Sequence, residues 1–246
     1  MRHRPLAAYC VHLYTASGVV FVFLSAAELC SDAPDVRWVF AWLILTVLID
    51  ATDGPLARWV DVKRHAPRID GRTIDDLVDY LTYTFIPLLL IWRMGWLPSW
   101  GDDARTAGVW VVPAMIASLF GFANQGAKQE AEGFFLGFPS YWNVVAFYVG
   151  WSQRYVPSWV WVPVLLGLAG LTVAPVRFIY PNLAPKWLRP ATVLGAGVWG
   201  ILLLACLPSY PASPGWLVGL SLIYPVFYLG ASIRLDLAAR RRARAD

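Results

Sequence analysis

Long apolar segments recur along almost the whole chain, and they constrain its fold more than any other feature of the sequence. Of its 246 residues, 58% are hydrophobic and 15% are charged, a composition that a soluble domain of this size does not carry. A helix that crosses a bilayer needs about 20 mainly apolar residues. Eight segments approach that length: residues 8–30, 36–57, 75–97, 106–125, 141–156, 158–180, 190–209 and 214–234. The sequence therefore predicts an all-α integral membrane protein, a polytopic bundle of about eight transmembrane helices in a single membrane domain over residues 1–246.

The fifth segment is the weakest, because it is short and carries Gln153 near its end. Six or seven spans are the alternatives if it fails to cross or merges with the sixth. The distribution of Lys and Arg favours eight. With a cytoplasmic N-terminus and alternating spans, 16 of the 20 basic residues fall on the cytoplasmic side, as the positive-inside rule expects. Both termini are then predicted to be cytoplasmic.

The formal net charge of +4 does not predict a nucleic-acid partner. The basic tail ARRRAR is expected to face the anionic headgroups of membrane lipids. A solvated tail on the positive inner face explains it equally well. Cys10, Cys30 and Cys206 form no metal or disulfide motif, so each is interpreted as a packing residue.

Carboxylates gather where the second segment ends and the third begins. The stretch LIDATDGPLAR places Asp50 and Asp53 three residues apart, and GRTIDDLVD places Asp75 and Asp79 four apart. Such spacings put two side chains on one face of a helix. Because the two segments are joined by a loop, these helix ends lie at the same membrane depth. We therefore expect four carboxylates to converge there.

Four carboxylates at a membrane boundary repel one another and are costly to desolvate unless a cation binds. Carboxylate oxygens are the ligands that Mg²⁺ and Mn²⁺ prefer. Two such ions about 3.5–4 Å apart clamp a phosphoryl group under attack. The pattern thus predicts a site for Mn²⁺ or Mg²⁺ with two ions. The alternative role, capping helices and balancing nearby cations, is assigned to Asp61, Asp70 and Asp76.

Small residues and one arginine accompany these carboxylates. Gly54 and Ala57 leave a flat surface on which a ligand could approach the helix backbone, and Gly71 gives similar clearance at the start of the third segment. Arg58 offers a bidentate fork for a phosphate. Together these residues predict a ligand that carries phosphate.

The pattern resembles the signature of the CDP-alcohol phosphatidyltransferase family. The matching order is Asp50-x-x-Asp53-Gly54-x-x-Ala57-Arg58, followed by Gly71-x-x-x-Asp75-x-x-x-Asp79. Twelve residues separate the Arg from the second Gly, a longer gap than is common in the family. Three features resemble the bacterial branch of the family whose alcohol is choline. They are this longer gap, the eight predicted spans and the stretch GFFLGFPSYWN.

The resemblance implies a reaction. The family transfers the phosphatidyl group of CDP-diacylglycerol to an alcohol and releases CMP, in the bacterial case at the cytoplasmic face of the inner membrane and commonly as a homodimer. The four aspartates match the metal ligands of the family. Asp75 and Asp79 match its catalytic pair, in which Asp79 corresponds to the general base. His12-x-x-Thr15-x-x-Gly18 is similar to the first-span motif, of which only Thr15 is carried over. The residues that match the nucleotide-diphosphate contacts are Thr15, Gly54, Ala57, Arg58 and Gly71.

The composition of the segment from Phe120 to Asn143 indicates which alcohol is the acceptor. The segment is rich in aromatic residues and contains one basic residue, Lys128. A quaternary ammonium such as choline favours aromatic faces and a carboxylate. Lys128 is expected to meet the phosphate of the donor. Ordinary interfacial anchors are the alternative for each aromatic residue. The residues predicted to bind choline are Phe122, Glu132, Tyr141 and Trp142.

Two other functions remain open at the level of sequence. The first is phosphatidyl transfer to another alcohol, such as serine. The second is cation-coupled transport through the aspartate cluster. Transporter sites usually lie near the bilayer midplane between repeated halves. The carboxylates here lie at one face and no internal repeat is visible, which favours the enzyme.

Overall fold

The computed structural model describes residues 4–101, 103–124, 126–129 and 133–242, and most of these are helical. A six-residue π turn, Tyr80–Phe85, joins two of the helices into one continuous stretch over residues 71–93. The α-helices are α1 (Arg4–Ala16), α2 (Gly18–Leu29), α3 (Val36–Val60), α4 (Val62–His65), α5 (Gly71–Asp79), α6 (Ile86–Arg93), α7 (Gly108–Ala123), α8 (Trp142–Ser152), α9 (Trp161–Val173), α10 (Arg189–Cys206) and α11 (Gly215–Arg242).

Three short antiparallel strands, in the order β1-β2-β3, form a small sheet. They are β1 (Lys128–Gln129), β2 (Phe134–Leu136) and β3 (Arg177–Ile179). Gly133 and Gly137 flank β2 with φ angles of +75° and +86°. A Cβ atom on Gly137 would collide with the carbonyl oxygen of Thr172, so only glycine fits this turn.

Five helical stretches are long and apolar enough to cross a membrane, which confirms the predicted class of all-α, multi-pass membrane protein. Three predicted segments are helical but are not both long and apolar enough to be counted as membrane spans. Residues 71–93 carry three aspartates in their first turns, α8 has 11 residues, and Ser158–Val173 is a shorter apolar helix. By length and composition, the structure supports five of the eight predicted spans: Arg4–Leu29, Val36–Val60, Ala104–Ala123, Arg189–Ser209 and Gly215–Arg241.

The described chain divides into two compact units. The first extends to Met94 and includes Trp142–Phe147, so it contains α1 to α6 and the beginning of α8. The second comprises Gly95–Tyr141 and the chain from Tyr148 onward, so it contains the sheet, α7 and α9 to α11. The four aspartates predicted to bind metal all belong to the first unit.

Local capping residues define where the carboxylate-bearing helices begin and end. Asp61 adopts a left-handed conformation, with a φ angle of 56°, and ends α3. Asp70 accepts hydrogen bonds from the Thr73 hydroxyl at 2.8 Å and the Arg72 amide at 3.0 Å, and so caps α5. The Thr73 hydroxyl above all holds the pKa of Asp70 below its usual range. Asp76 forms an ion pair with Arg72 at 3.5 Å. The predicted capping role of Asp70 and charge-balancing role of Asp76 are therefore observed.

In the second unit, side chains of α11 bond the outer strand of the sheet. The amide of Ile179 donates to Ser232 Oγ at 3.2 Å, and the amide of Arg177 donates to Asp236 Oδ1 at 3.2 Å. Asp236 is buried and also accepts from Arg240 Nε at 2.7 Å. The free edge of β3 is thus satisfied by a helix instead of a fourth strand.

We expect Asp236→Ala to lower the free energy of unfolding by about 1–3 kcal/mol, because it leaves the partly buried amide of Arg177 without this acceptor. Chemical unfolding of the detergent-solubilised protein measures the change. Arg72→Ala is the matched control, since it removes an exposed i,i+4 ion pair that contributes less than about 1 kcal/mol. Equal losses in the two variants would contradict the anchoring role of Asp236.

Candidate functional site

Three of the predicted carboxylates meet in the first unit. Asp50 in the second half of α3 and Asp75 and Asp79 on α5 each offer one oxygen, and these oxygens all lie within 4.8 Å of one another. All three residues are partly buried. Two ionised carboxylates at this separation repel each other by about 3 kcal/mol at an effective dielectric constant of 20. The arrangement therefore favours a bound cation.

The donor set fits a hard divalent cation. Oxygens bound to one Mg²⁺ at about 2.1 Å lie about 3–4 Å from one another, so these carboxylates need only a small inward movement to share an ion. All three donors are carboxylates, which suit Mg²⁺ and Mn²⁺ better than softer metals. The cluster could therefore hold a metal ion.

The fourth predicted carboxylate, Asp53, points to a different neighbour. It is 7% exposed and forms a hydrogen bond with the side chain of Thr15 on α1. An α-helix turns about 100° per residue, so side chains three residues apart differ in direction by about 60°. This difference directs Asp50 toward α5 and Asp53 toward α1. Among the described residues, the structure thus brings three of the four aspartates together and pairs the fourth with Thr15.

A tyrosine that the sequence analysis did not single out completes the cluster. The hydroxyl of Tyr83 donates a hydrogen bond of 2.6 Å to Asp50 Oδ2. Tyr83 lies in the π turn that directly follows α5. Its position four residues after Asp79 continues the spacing of Asp75 and Asp79, and this signal was available in the sequence.

Two of the small residues predicted to contact a ligand also have neighbours within the protein. The guanidinium of the exposed Arg58 lies 3.4 Å from where a Cβ on Gly54 would be, so Gly54 leaves room for that side chain. Ala57 packs against a buried cluster contributed by α1 and the α4 region. That cluster consists of Ala8, Val11, Val62 and Ala66.

The clearance expected at Gly71 is filled by His12 of α1. A Cβ on Gly71 would lie 2.7 Å from His12 Cε1, and His12 itself is only 6% exposed. The ring therefore fixes the approach of α1 to the start of α5. His12 Nε2 is buried and has no hydrogen-bond partner within the described part of the chain.

The residues predicted to bind the alcohol are distributed over both units. Phe122 lies on α7, and Lys128, which is predicted to meet the donor phosphate, pairs in β1 with Phe135. Tyr141 is partly exposed and lies edge-on to Phe138, with ring centroids 6.4 Å apart. Trp142, which belongs to the first unit, has no exposed surface and packs like a core residue. Glu132 lies outside the described residues.

Comparison with known proteins decides the family. The chain is 34% identical to a phosphatidylcholine synthase of Pseudomonas aeruginosa, with 91% of this chain and 89% of the relative covered. It is 36% identical to one of Legionella pneumophila, with 91% and 86% covered, and 35% identical to one of Rhizobium meliloti, with 88% and 85% covered. The chain belongs to the phosphatidylcholine synthase family. The predicted enzyme class, a phosphatidyltransferase, is confirmed by this membership.

No protein-family model matches the chain. No solved structure matches it either. The assignment to the phosphatidylcholine synthase family therefore comes from its full-length relatives, and the motif resemblance agrees with it.

We expect Gly71→Ala to lower the free energy of unfolding by about 1–3 kcal/mol, because the added methyl group overpacks the contact with the buried His12 ring. Thermal unfolding in detergent measures the loss, and His12→Ala in the same chain should restore part of it. Gly167→Ala on α9 is the control, because a Cβ there meets nothing within 4 Å. A Gly71→Ala protein as stable as the parent would contradict this close contact between α1 and α5, because the added methyl group would have been accommodated without cost.

Proposed function

We propose that the chain transfers the phosphatidyl group of CDP-diacylglycerol to choline, forming phosphatidylcholine and releasing CMP. The observation that carries this proposal is the cluster of Asp50, Asp75 and Asp79 within the family's motif, in a chain that matches phosphatidylcholine synthases over most of its length. The names of those relatives support choline as the acceptor.

We assign the metal site to four aspartates and two ions of Mn²⁺ or Mg²⁺. Asp50, Asp75 and Asp79 supply the clustered oxygens, and Asp53, which is hydrogen-bonded to Thr15, supplies a further carboxylate. When bound, the ions neutralise the diphosphate of the donor and the charge that develops on departing CMP.

The chain's own residues carry the remaining roles. The choline hydroxyl attacks the phosphorus attached to diacylglycerol, so an O–P bond forms, the bond to CMP breaks, and CMP leaves with its electron pair. Asp79 accepts the hydroxyl proton as general base, and Asp75, one turn earlier, is the other member of the catalytic pair. Donor contacts are assigned to Thr15, Gly54, Ala57, Arg58, Gly71 and Lys128.

The acceptor subsite is assigned to Phe122, Glu132, Tyr141 and Trp142. Tyr141 is the most direct candidate for contact with the ammonium, because part of its ring is exposed. The buried Trp142 would support the start of α8 from within. Glu132 would supply the compensating negative charge.

We further propose the membrane arrangement that the basic residues favour. Residues 1–246 form one membrane domain of eight spans in the bacterial inner membrane, both termini are cytoplasmic, and the active site lies at the cytoplasmic face. All eight predicted segments contain helix, and five of them are long and apolar enough to cross a membrane. A homodimer is proposed by analogy with the family.

The decisive assay supplies the purified protein with CDP-diacylglycerol and labelled choline in Mn²⁺, in Mg²⁺ and in chelator. We expect equal amounts of phosphatidylcholine and CMP with metal and none with chelator. Asp79→Asn should lower kcat by about 10²- to 10⁴-fold, because the base is lost. Asp76→Asn is the matched control on the same helix, since Asp76 pairs with Arg72 outside the cluster.

Product from serine or glycerol phosphate, but not from choline, would retain the transferase and discard the choline subsite. Absence of lipid product from every alcohol, with folded protein, would contradict the transferase. A metal-dependent ion flux in reconstituted vesicles would then support cation-coupled transport.

We expect Tyr141→Ala to raise the KM for choline about 2- to 30-fold, the range of a cation–π contact, with the KM for CDP-diacylglycerol unchanged. Trp142→Ala should raise the choline requirement too, but with a loss of stability, because the ring is fully buried. Tyr155→Ala, an exposed tyrosine beyond the far end of α8, is the control. An unchanged choline KM in both site variants would remove them from the subsite.

A further inference from the structure

The hydrogen bond between Tyr83 and Asp50 joins two elements that lie far apart in sequence. Its length is 2.6 Å, its partners are 33 residues apart, and its environment is partly buried. A hydroxyl that donates to one carboxylate oxygen fixes the rotation of that carboxylate and leaves the other oxygen for a cation. Such outer partners orient metal ligands in proteins generally.

The π turn Tyr80–Phe85 explains how Tyr83 reaches Asp50. Four residues of an α-helix overshoot a full turn by about 40°, so a straight helix would carry each successive member of the Asp75, Asp79, Tyr83 series further around its axis. Hydrogen bonds in a π turn reach back five residues instead of four, so the chain rotates less per residue. The turn thereby returns Tyr83 toward the face of the carboxylates.

The same turn contains two threonines whose hydroxyl groups are buried without a hydrogen-bond partner among the described residues. Thr82 and Thr84 are 1% and 0% exposed, and within the described residues their hydroxyl oxygens have no hydrogen-bond partner. Burial of a hydroxyl without a partner is destabilising. A local conformation that carries this cost and presents Tyr83 to Asp50 is typical of a functional position in a helix.

We propose that Tyr83 is a positioning residue for the metal site, held by the π turn so that its hydroxyl fixes the carboxylate of Asp50 for cation binding. Tyr83 acts through Asp50 and does not touch the reacting atoms. The proposal rests on the metal-dependent transfer proposed above, and it adds a residue outside the sequence motif.

Direct Mn²⁺ binding to the substrate-free protein in detergent, measured by titration calorimetry, tests this role. Tyr83→Phe removes the hydroxyl and keeps the ring, and we expect its Kd for Mn²⁺ to rise about 10- to 100-fold, as for other lost partners of metal ligands. The Mn²⁺ concentration for half-maximal transfer should rise by a similar factor, with the KM for choline unchanged. Thr84→Val is the matched control, because it removes a hydroxyl one residue away and should leave the Kd unchanged.

A variant pair separates positioning from general loss of structure. In an Asp50→Ala background, Tyr83→Phe should produce no further change in Mn²⁺ affinity, because its route of action is gone. A Kd in Tyr83→Phe within twofold of the parent, or an equal further loss in the Asp50→Ala background, would overturn the positioning role. A parent protein that binds no Mn²⁺ would overturn the proposed metal site as well, whereas normal binding in Tyr83→Phe would overturn this inference alone.

Discussion

Repulsion between like charges at short range is the constraint on which the organisation of the first unit depends. Three carboxylates meet within 4.8 Å although each pair opposes the approach. The structure achieves this by fixing helix ends: Asp61 ends α3 in a left-handed conformation, and Asp70 caps α5. The buried contact of His12 with Gly71 then sets how closely α1 approaches α5. Packing and capping thus oppose the repulsion among the three clustered carboxylates.

The second unit contains a non-helical segment within an otherwise helical membrane protein, and this segment needs its own hydrogen-bond partners. Backbone amides and carbonyls need hydrogen-bond partners wherever water is scarce. The short sheet supplies part of them, and Ser232 and Asp236 of α11 accept from two amides on the outer edge of β3. Gly133 and Gly137 permit the backbone to enter and leave β2 where a side chain would collide. The aromatic residues of this segment are therefore presented from a well-bonded backbone.

Sequence patterns predicted the elements of this protein better than the contacts among them. Apolar runs predicted the longer helices but not the four-residue α4, and the spacing of Asp75 and Asp79 placed both on one helix face, as observed. The same argument failed to separate Asp50 from Asp53, because a difference of about 60° matters only once the neighbouring helices are in place. The spacing after Asp79 points to Tyr83, but its bond to Asp50 joins segments that are distant in sequence, as does the contact of His12 with Gly71. Periodicity alone could therefore not find these two contacts. The π turn, which has no compositional signature, is the clearest case.

The shortness of α8 has a consequence for how a water-soluble alcohol could reach a membrane enzyme. Eleven residues extend about 16 Å, roughly half the thickness of the hydrocarbon core. Residues 146–150 are nevertheless all buried. Lipid cannot satisfy the backbone beyond the ends of so short a helix, so protein groups or water must do so. The start of α8, next to Tyr141, is therefore surrounded by protein groups or water instead of lipid, and a small polar alcohol is soluble in such surroundings.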